Sequence, residues 1–599
     1  MSEIVNEVLA ARYFREGESS WEDVCRRVAD YVGNTDDERE IYYDMMVNKD
    51  FVPNSPALMN AGTNVPMMSA CFAFGMDDDI ESILQVFHNA MVVMKYGGGV
   101  GIDYSNLRPK DDPIESTGGT SSGVVAFMEM FNQGVETIKS GGRRRGASIG
   151  SLDISHPDIE DFISSKLDEG KLTNMNISVR ITDDFMRAVE DDAEWDLVFN
   201  GKVYKTIKAR ELFKKIVHGA WKYGEPGILF VDEIKRKEPY KGSKYKIGQN
   251  PCGETNLLTC PNGGESCILG SINVSNLYGA TFNDYANITK QATHFLNNVI
   301  DKNFYPVPEI EDMTKGFRRI GIGIMGFADL LIKSGIPYDS PEALILAENI
   351  MCSINTASIK TSEELAEIYG TFPKFEECDI IKPRYNYSTT VIAPTGTISL
   401  LAGCSSGIEP IFSLVHKRYT WVDGEKVGYL QVHPIFEEKL DAYIKSHYEV
   451  TKWDSMKKIV LNHAYEKGTI QDIEWLPKDF RELFKTSLDI SPKAHIDMQA
   501  AFQKYTGNNI SKTINLPNNT TEEEVWDIFF YGWKKHLKGM TVYRSGSRDI
   551  EVLELKKEST STSTPTNGRI LPKRDADLPA TNSKRRSGCG KLIISVAEK

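Results

Sequence analysis

The stretch Asn250-Pro251-Cys252-Gly253-Glu254 determines how the rest of this chain of 599 residues is interpreted. Its thiol lies two residues after an amide and two residues before a carboxylate. This combination joins a sulfur that can carry one electron to a hydrogen-bonding group and a proton acceptor, which suits radical chemistry on a hydroxylated substrate. Two further thiols, Cys71 and Cys267, can pair as a dithiol reductant only if the fold brings them together.

Six parts of the sequence resemble the large chain of ribonucleotide reductases and follow one another in that family's order. Residues 250–254, with 265–273 after them, resemble the finger loop of the family. The other five parts are residues 54–62, 95–101, 142–147, 393–399 and 406–410. The resemblance spans roughly residues 8–548, so coincidence is a poor explanation. The amino-acid sequence of the last two parts looks most like that of class II, the adenosylcobalamin-dependent branch of the family.

The fold that this resemblance implies is α/β: a ten-stranded α/β barrel of the ribonucleotide reductase type, with an internal finger loop and an N-terminal helical region. Short β-rich runs such as 389–393 and 196–199 alternate with helical patterns, which favours a mainly parallel architecture. Near the N-terminus, Ser20 followed by Trp21 is typical of a helix cap. We expect four regions: helices at 1–60, the catalytic barrel at 61–550, a flexible polar linker at 551–586 and the start of a further block at 587–599.

Both ends of the chain depart from familiar patterns. We expect no N-terminal cone of the kind that binds ATP or dATP in many members of the family, because the family-like sequence begins near residue 8. Class II chains usually continue into a mobile tail with a cysteine pair, whereas here Cys589 stands alone and no Cys-x-x-Cys occurs. We therefore expect either a separate C-terminal polypeptide that supplies the tail, or direct reduction by thioredoxin or glutaredoxin; a gene fragment is the plainer alternative.

The resemblance assigns a role to each of five catalytic residues. Cys252 would carry a thiyl radical generated with adenosylcobalamin, and Glu254 would act as general base on the 3′-hydroxyl of the ribose. Asn250 would hydrogen-bond the sugar hydroxyls. Cys71 and Cys267 would protonate the departing 2′-hydroxyl and end as a redox-active disulfide.

Other cysteines suggest weaker alternatives. Cys260 could mimic the reductant cysteine, but only Cys267 is followed by the family's Gly-Ser-Ile-Asn. A zinc site built from Cys252, Cys260 and Cys267 is unattractive because their spacing is not that of a ligand knuckle, so no metal ligands are expected. Free cysteines elsewhere are most often small buried hydrophobes.

A phosphate site is expected where the run 389–394 leads into a probable helix start. Backbone N–H groups at such a start receive phosphates, although a plain strand-to-helix turn is the alternative. By resemblance the nucleotide is also placed by Ser55 and Ala70. The phosphate-binding residues would be Pro394, Thr395, Gly396, Thr397 and Ile398.

Regulation is expected at a separate deoxynucleotide effector site. In the family, Asp78 and Lys95 would hold the effector, Lys139 could meet its phosphate, and Arg144 lies in the loop that links effector to substrate. The glycines that flank three successive arginines permit a mobile regulatory segment. The alternative is an ordinary solvated loop without a regulatory role. Because such sites lie where two chains meet, the resemblance implies a homodimer.

Composition excludes several classes of protein. A net charge of −14 argues against bulk binding of nucleic acid or of an anionic membrane. The sequence has no apolar run long enough to span a membrane and no secretory leader, so a cytoplasmic protein is expected. Nine scattered cysteines do not form the framework of a secreted disulfide protein.

The predicted function is reduction of ribonucleoside di- or triphosphates to deoxyribonucleotides for DNA synthesis, with the phosphate level left open. One alternative is a class I large subunit, whose radical arrives from a second subunit through adjacent tyrosines. The only such pair, Tyr42-Tyr43, lies far in sequence from the expected position. The other alternative is a non-catalytic nucleotide-binding paralogue, which would have no reason to keep all three cysteines.

Overall fold

The computed structural model describes residues 3–138, 147–167, 170–422, 425–547, 580–587 and 590–597. The helices are α1 (Glu3–Val8), α2 (Trp21–Val32), α3 (Asp36–Val47), α4 (Ser55–Asn60), α5 (Ile80–Lys95), α6 (Val124–Thr137), α7 (Ile159–Ser164), α8 (Asp183–Glu190), α9 (Ala209–Tyr223), α10 (Val231–Lys237), α11 (Phe282–Lys302), α12 (Pro308–Phe317), α13 (Phe327–Ser334), α14 (Pro341–Tyr369), α15 (Gly396–Ala402), α16 (Pro434–His447), α17 (Trp453–Lys467), α18 (Lys478–Leu483), α19 (Pro492–Gln503) and α20 (Glu522–Lys534). A π-helical turn covers Leu9–Tyr13.

The strands are β1 (Phe51–Pro53), β2 (Cys71–Phe74), β3 (Gly99–Asp103), β4 (Pro113–Ile114), β5 (Gly119–Thr120), β6 (Ser148–Asp153), β7 (Met175–Ile181), β8 (Glu194–Phe199), β9 (Lys202–Lys208), β10 (Gly227–Phe230), β11 (Lys246–Gln249), β12 (Asn256–Cys260), β13 (Gly263–Gly264), β14 (Leu269–Asn273), β15 (Gly321–Met325), β16 (Val415–Val422), β17 (Glu425–Val432), β18 (Thr513–Leu516), β19 (Gly539–Arg544), β20 (Ala580–Ser587) and β21 (Gly590–Ala597).

Five parallel strands form the first half of a barrel. Their order in space is β2, β3, β6, β7 and β10, and every neighbouring pair is parallel. Helices connect the strands, as parallel pairing requires. The strands are buried almost throughout, because helices cover one face and the barrel interior covers the other.

Five further segments form the second half. β19 and β18 are parallel, the segment around 390–392 bridges to Ile510 on one side and to β15 on the other, and β15 is parallel to β14. The two halves meet in antiparallel contacts, β10 with β19 and Phe72 with Ser266. These ten segments close a barrel, which confirms the predicted α/β fold, and residues 389–393 are one of its walls.

One strand prediction needs correction. Residues 196–199 are indeed extended, within β8, but β8 pairs antiparallel with β9 in a hairpin outside the parallel barrel. The reason is visible in its burial: Leu197 and Phe199 face the core, while Glu194 and Asp196 are exposed. Such one-sided burial is typical of an antiparallel strand at the surface rather than of a barrel strand.

The N-terminal helices pack against the second half of the barrel. The predicted cap is present, since the Ser20 hydroxyl accepts the amide of Asp23 and the Asp23 carboxylate accepts the amide of Ser20. Tyr42 meets Phe295 of α11 edge to face, with ring centroids 5.1 Å apart. Edge-to-face aromatic contacts bury apolar surface in the core and favour one orientation of the two rings.

The finger loop is a hairpin of β11 and β12 that lies inside the barrel. A Cβ on Gly101 of β3 would overlap the carbonyl oxygen of Gln249, so glycine is required where the hairpin touches the wall. Arg180 of β7 donates to the Ile247 carbonyl at 2.9 Å and to Gln249 Oε1 at 3.2 Å. The hairpin is therefore fixed both by close backbone approach and by a buried guanidinium.

The C-terminal unit, Lys556–Lys599, is separate from the unit Met1–Leu555. Within it β20 and β21 form an antiparallel hairpin. Most of the predicted linker, and Cys589, lie outside the described residues. Across the parts of the chain that the structure describes, no helix combines the length and apolarity needed to cross a membrane.

Replacing Gly101 with Ala is expected to lower the free energy of unfolding by about 1–3 kcal/mol, because the added methyl group forces the hairpin away from β3. Denaturant unfolding measures the loss. Gly119→Ala is the control, since a Cβ there meets only Thr117 Oγ1, at 3.5 Å. Equal stability of the two variants would contradict the close approach.

Candidate active site

Residues 250–254, which we call the thiol loop, form a tight turn at the end of the finger hairpin. The amide of Gly253 donates to the Asn250 carbonyl, and that of Thr255 donates to Asn250 Oδ1, both at 2.9 Å. Gly253 has a φ of +75°, which glycine adopts without strain. The turn buries Asn250 and Glu254 and leaves Cys252 exposed.

Cys252 lies between two cavities, and with Pro394 it borders both. One cavity has a volume of about 250 Å³ and the other of about 530 Å³. A single side chain at such a boundary can contact a ligand on either side. We call them the small cavity and the large cavity.

The small cavity brings together most of the residues that the sequence predicted. Cys71, Cys252 and Glu254 line it, while Asn250 is buried in the adjoining turn and Cys267 lies behind Cys71. All of the predicted nucleotide-placing residues line it as well: Ser55, Ala70, Pro394, Thr395, Gly396, Thr397 and Ile398. Residues up to 343 positions apart, such as Ser55 and Ile398, therefore share one pocket.

Cys71 and Cys267 oppose each other across the antiparallel junction that closes the barrel. Each is the neighbour of a residue in the Phe72–Ser266 bridge, and the Cys267 amide donates to the Cys71 carbonyl at 2.9 Å. Both are thiols rather than a disulfide. Burial and the adjacent Cys71 thiol raise the pKa of Cys267 well above its usual value. Cys267 is thus protonated near neutral pH and able to give a proton.

Asn250 has a buried side-chain amide group that finds no acceptor among the described residues. Its Oδ1 and backbone are satisfied within the turn, whereas its Nδ2 is buried and has no hydrogen-bond partner among the described residues. Buried donors are nearly always paired in native structures. This amide is therefore suited to a ligand hydroxyl.

The turn at 394–398 is shaped before any ligand arrives. Thr395 has a φ of +57°, and its hydroxyl accepts the amide of Gly407 at 2.7 Å. The segment 406–410, predicted from the family resemblance, thus braces the turn. α15 begins at Gly396, where the sequence predicted a helix start.

Two residues of the small cavity were missed by sequence reasoning. Arg12 and Tyr13 lie in the π-helical turn, and the Tyr13 hydroxyl is 2.8 Å from Ser55 Oγ. Of the described residues that line this cavity, Arg12 carries the one positive charge and Glu254 the one carboxylate. No motif marks Arg12, because its place depends on how the N-terminal region docks on the barrel.

The large cavity was also missed. It is lined by strands from both halves of the barrel and by the loop before β18. Its polar lining residues include Asn176, Ser178, Glu225, Lys512, Asn515 and Thr541. Gly227 and Gly539 allow a ligand to approach the backbone closely.

Two of the predicted effector residues, Asp78 and Lys95, lie far apart within one chain. Asp78 precedes α5 and accepts Arg108 Nε at 2.8 Å, while Lys95 is the last residue of α5. A helix of 16 residues is about 24 Å long, so the two lie at opposite ends of it. Lys139 and Arg144 lie outside the described residues.

The remaining cysteines in the described part of the chain line neither cavity. Cys260 packs instead with the cluster around Phe317, and burial raises its pKa to about 11. Among the described residues, no group of three or more His, Cys, Asp or Glu side chains is arranged to hold a metal ion.

Known proteins resemble this chain over most of its length. The family described as "Ribonucleotide reductase, barrel domain" matches residues 69–384 and 381–543, and the one described as "Ribonucleotide reductase, all-alpha domain" matches residues 2–66. The vitamin B12-dependent ribonucleoside-diphosphate reductase of Thermoplasma acidophilum is 43% identical over 86% of this chain and 66% of its own length. The protein of the same name from Mycobacterium tuberculosis is 39% identical over 86% of this chain and 73% of its own length.

The fold has a solved counterpart in the alpha subunit of the class Id ribonucleotide reductase of Actinobacillus ureae. The two superimpose with a TM-score of 0.76 at 22% identity, covering 91% of this chain and 97% of that one. The first of the sequence relatives is longer, and this chain spans 66% of it. The two family models together match most of the chain, and the chain belongs to the ribonucleotide reductase family.

Proposed function

We propose that the chain reduces ribonucleotides to deoxyribonucleotides by a thiyl-radical mechanism that depends on adenosylcobalamin. The observation that carries this proposal is the position of Cys252 on the boundary between the small cavity, which Cys71 and Glu254 also line, and the large cavity, which neither of them lines. The relatives named vitamin B12-dependent reductases support the choice of cofactor. Since those names specify the diphosphate, a ribonucleoside diphosphate is the favoured substrate.

The large cavity fits the adenosyl part of such a cofactor. Glycines 227 and 539 leave room for a flat base against the backbone, and Ser178, Asn515 and Thr541 offer partners for hydroxyls. When bound, adenosylcobalamin supplies a cobalt–carbon bond that breaks homolytically and so provides the radical. The residues of the chain position the thiol and exclude water.

On the substrate side, Cys252 as thiyl removes the hydrogen atom from C3′ of the ribose. Glu254 accepts the 3′-hydroxyl proton, and the unpartnered Nδ2 of Asn250 donates to a sugar hydroxyl. Both act from buried positions on one turn, so they are oriented before the substrate binds.

Cys71 and Cys267 complete the reduction. A thiol proton leaves with the 2′-hydroxyl as water, the two sulfurs supply two electrons and become a disulfide, and Cys252 returns the hydrogen atom to C3′. The balance is ribonucleotide plus dithiol giving deoxyribonucleotide plus disulfide plus water. The high pKa of Cys267 keeps that thiol protonated until it is needed.

The substrate phosphates are held at the other end of the small cavity. The backbone N–H groups of residues 395–398 are available to bind them, Ser55 and Ala70 place the nucleotide, and Arg12 supplies positive charge. A guanidinium suits phosphate because its donors form a planar fork. Arg12 thus complements a turn that offers backbone donors but no charge.

An effector deoxynucleotide is proposed to bind at Asp78, Lys95, Lys139 and Arg144. Because α5 holds Asp78 and Lys95 about 24 Å apart, one ligand reaches both only if a second copy lies antiparallel along α5. This supports a homodimer with the effector at its interface.

The reductant is proposed to be thioredoxin or glutaredoxin, or a separate C-terminal polypeptide with a cysteine pair, acting in the cytoplasm. Cys71 and Cys267 are only 4% and 1% exposed. A small thiol or a narrow peptide reaches such a disulfide more readily than a folded protein does.

The class I alternative finds less support. Tyr42 is buried against Phe295, and Tyr43 stacks under Arg26, both in the N-terminal helical region. Neither lines the large or the small cavity. The decisive assay is turnover of the purified chain with dithiothreitol, with and without adenosylcobalamin; activity that instead required a metal-bearing second subunit would favour class I.

Replacing Cys252 with Ser is expected to lower kcat at least about 10³-fold, because an alkoxyl radical is much harder to form than a thiyl. Nucleotide binding, measured by equilibrium dialysis, should be unchanged. The control is Cys352→Ser, on α14 and away from both cavities. Turnover above a trace level in Cys252→Ser protein that is free of wild-type chain would contradict the assignment of the radical to Cys252.

Pre-reduced protein without external reductant is expected to form about one deoxynucleotide per site and a Cys71–Cys267 disulfide, which peptide mass spectrometry detects. Cys267→Ser should form none. Because the folded pKa of Cys267 exceeds the ordinary value of 9.0, thiolate is disfavoured in the folded state. Iodoacetamide should therefore modify Cys267 slowly at pH 8, and its ionisation should cost stability as pH rises above 9.0.

Arg12→Gln is expected to weaken nucleotide binding roughly 10-fold, the cost of losing a charge-assisted hydrogen bond. Calorimetry with a nucleoside and its mono- and diphosphate in the Cys252→Ser background isolates the phosphate contribution. In the variant, the gain in affinity per phosphate should shrink. Arg39→Gln is the control, because Arg39 of α3 lines neither cavity. An unchanged phosphate gain with Arg12→Gln would place the guanidinium elsewhere.

A further inference from the structure

Two consecutive asparagines, Asn508 and Asn509, are buried beside the thiol loop. They precede β18 and play no part in the predicted site. Asn509 Nδ2 donates to the Gly253 carbonyl at 2.8 Å, and its backbone amide donates to the Glu254 carbonyl at 3.1 Å. These two carbonyls belong to the residues that directly follow Cys252.

Asn508 holds the next part of the same hairpin. Its Oδ1 accepts the amide of Asn256 at 2.7 Å, and its Nδ2 donates to the Asn256 carbonyl at 3.2 Å. A side-chain amide that makes both bonds to one residue imitates a neighbouring strand. Asn508 therefore replaces the backbone partner that the start of β12 lacks on the edge facing away from β11.

The same two residues are joined to the strand that carries the phosphate turn. The amide of Asn508 donates to the Thr390 carbonyl at 3.0 Å, and the carbonyl of Asn509 accepts the amide of Ile392 at 3.2 Å. Ile392 comes two residues before Pro394, where the turn begins. Asn508 and Asn509 thus contact the thiol loop on one side and the phosphate-binding strand on the other.

We infer that Asn509 is a positioning residue that fixes the distance between the radical thiol and the bound substrate, with Asn508 supporting it. This inference rests on the proposed function for its catalytic consequence. Asn509 has no exposed surface, and its Oδ1 accepts the amide of Ile510 at 2.8 Å, so both ends of its side-chain amide are used. The orientation of the donor toward Gly253 is therefore fixed.

The chemistry gives this fixation its importance. A hydrogen atom passes from C3′ to sulfur only at close range, and a displacement of about 1 Å can lower a rate about 10²-fold. The thiol loop cannot secure itself, since its internal bonds fix its shape but not its place in the barrel. Asn509 supplies a direct link between that shape and the substrate side.

Asn509→Asp tests the inference, because it keeps the size of the side chain and the acceptor for Ile510 while replacing the donor with an oxygen that repels the Gly253 carbonyl. Asn509→Ser is the second variant in case the aspartate is not tolerated. Asn276→Ala is the matched control, since Asn276 Nδ2 also donates to a backbone carbonyl, that of Asn48, at 3.0 Å but near the surface.

The first measurement is hydrogen exchange of the apo chain, which needs neither cofactor nor substrate. Peptides covering 250–256 should exchange about tenfold faster in the Asn509 variants, while the rest of the barrel and the Asn276 control are unchanged. The second is steady-state kinetics, in which kcat should fall about 10- to 100-fold with KM within about threefold.

Unchanged exchange at 250–256 in both Asn509 variants would overturn the inference. Faster exchange throughout the barrel would also overturn it, by showing a general loss of stability. A wild-type chain inactive with adenosylcobalamin would remove the proposed function, whereas local loosening at 250–256 would still establish that Asn509 fixes the loop.

Discussion

A polar loop inside a barrel must have its backbone groups satisfied away from bulk water, and this constraint governs the structure around Cys252. An unpaired buried carbonyl or amide is costly, so the hairpin of β11 and β12 needs partners from the barrel wall. Arg180 supplies them at the base of the hairpin, and Asn508 and Asn509 supply them near its tip. The contacts that satisfy the buried backbone groups of the loop also hold the loop rigidly in place.

The way the barrel closes determines which thiols meet. Its halves are each parallel, but they join in antiparallel fashion, and one junction brings Cys71 opposite Cys267 across 196 residues of sequence. Two thiols in directly opposed positions are at the separation that a disulfide requires. Burial at this junction also explains why the pKa of Cys267 is raised.

Residues that lie in motifs could be predicted, and residues defined only by packing could not. The turn 250–254 and the segment 393–399 could be identified because their sequences resemble those of ribonucleotide reductases. The same resemblance implied the barrel. Tyr13 and Asn509 lie in stretches without a motif, and their places depend on contacts with residues 42 and 256 positions away. Residues 196–199 form a strand as predicted, but they pair outside the barrel, and an extended sequence does not say where a strand pairs.

The boundary formed by Cys252 and Pro394 has a consequence for how such an enzyme evolves. In the proposed reaction, cofactor and substrate occupy separate cavities and contact the same sulfur, so the nucleotide does not contact the radical source. Mutations that reshape the large cavity leave Glu254, the dithiol and the phosphate turn untouched. Under the proposed function, selection can therefore replace the radical source bound in the large cavity while the residues that carry out the reduction in the small cavity are retained.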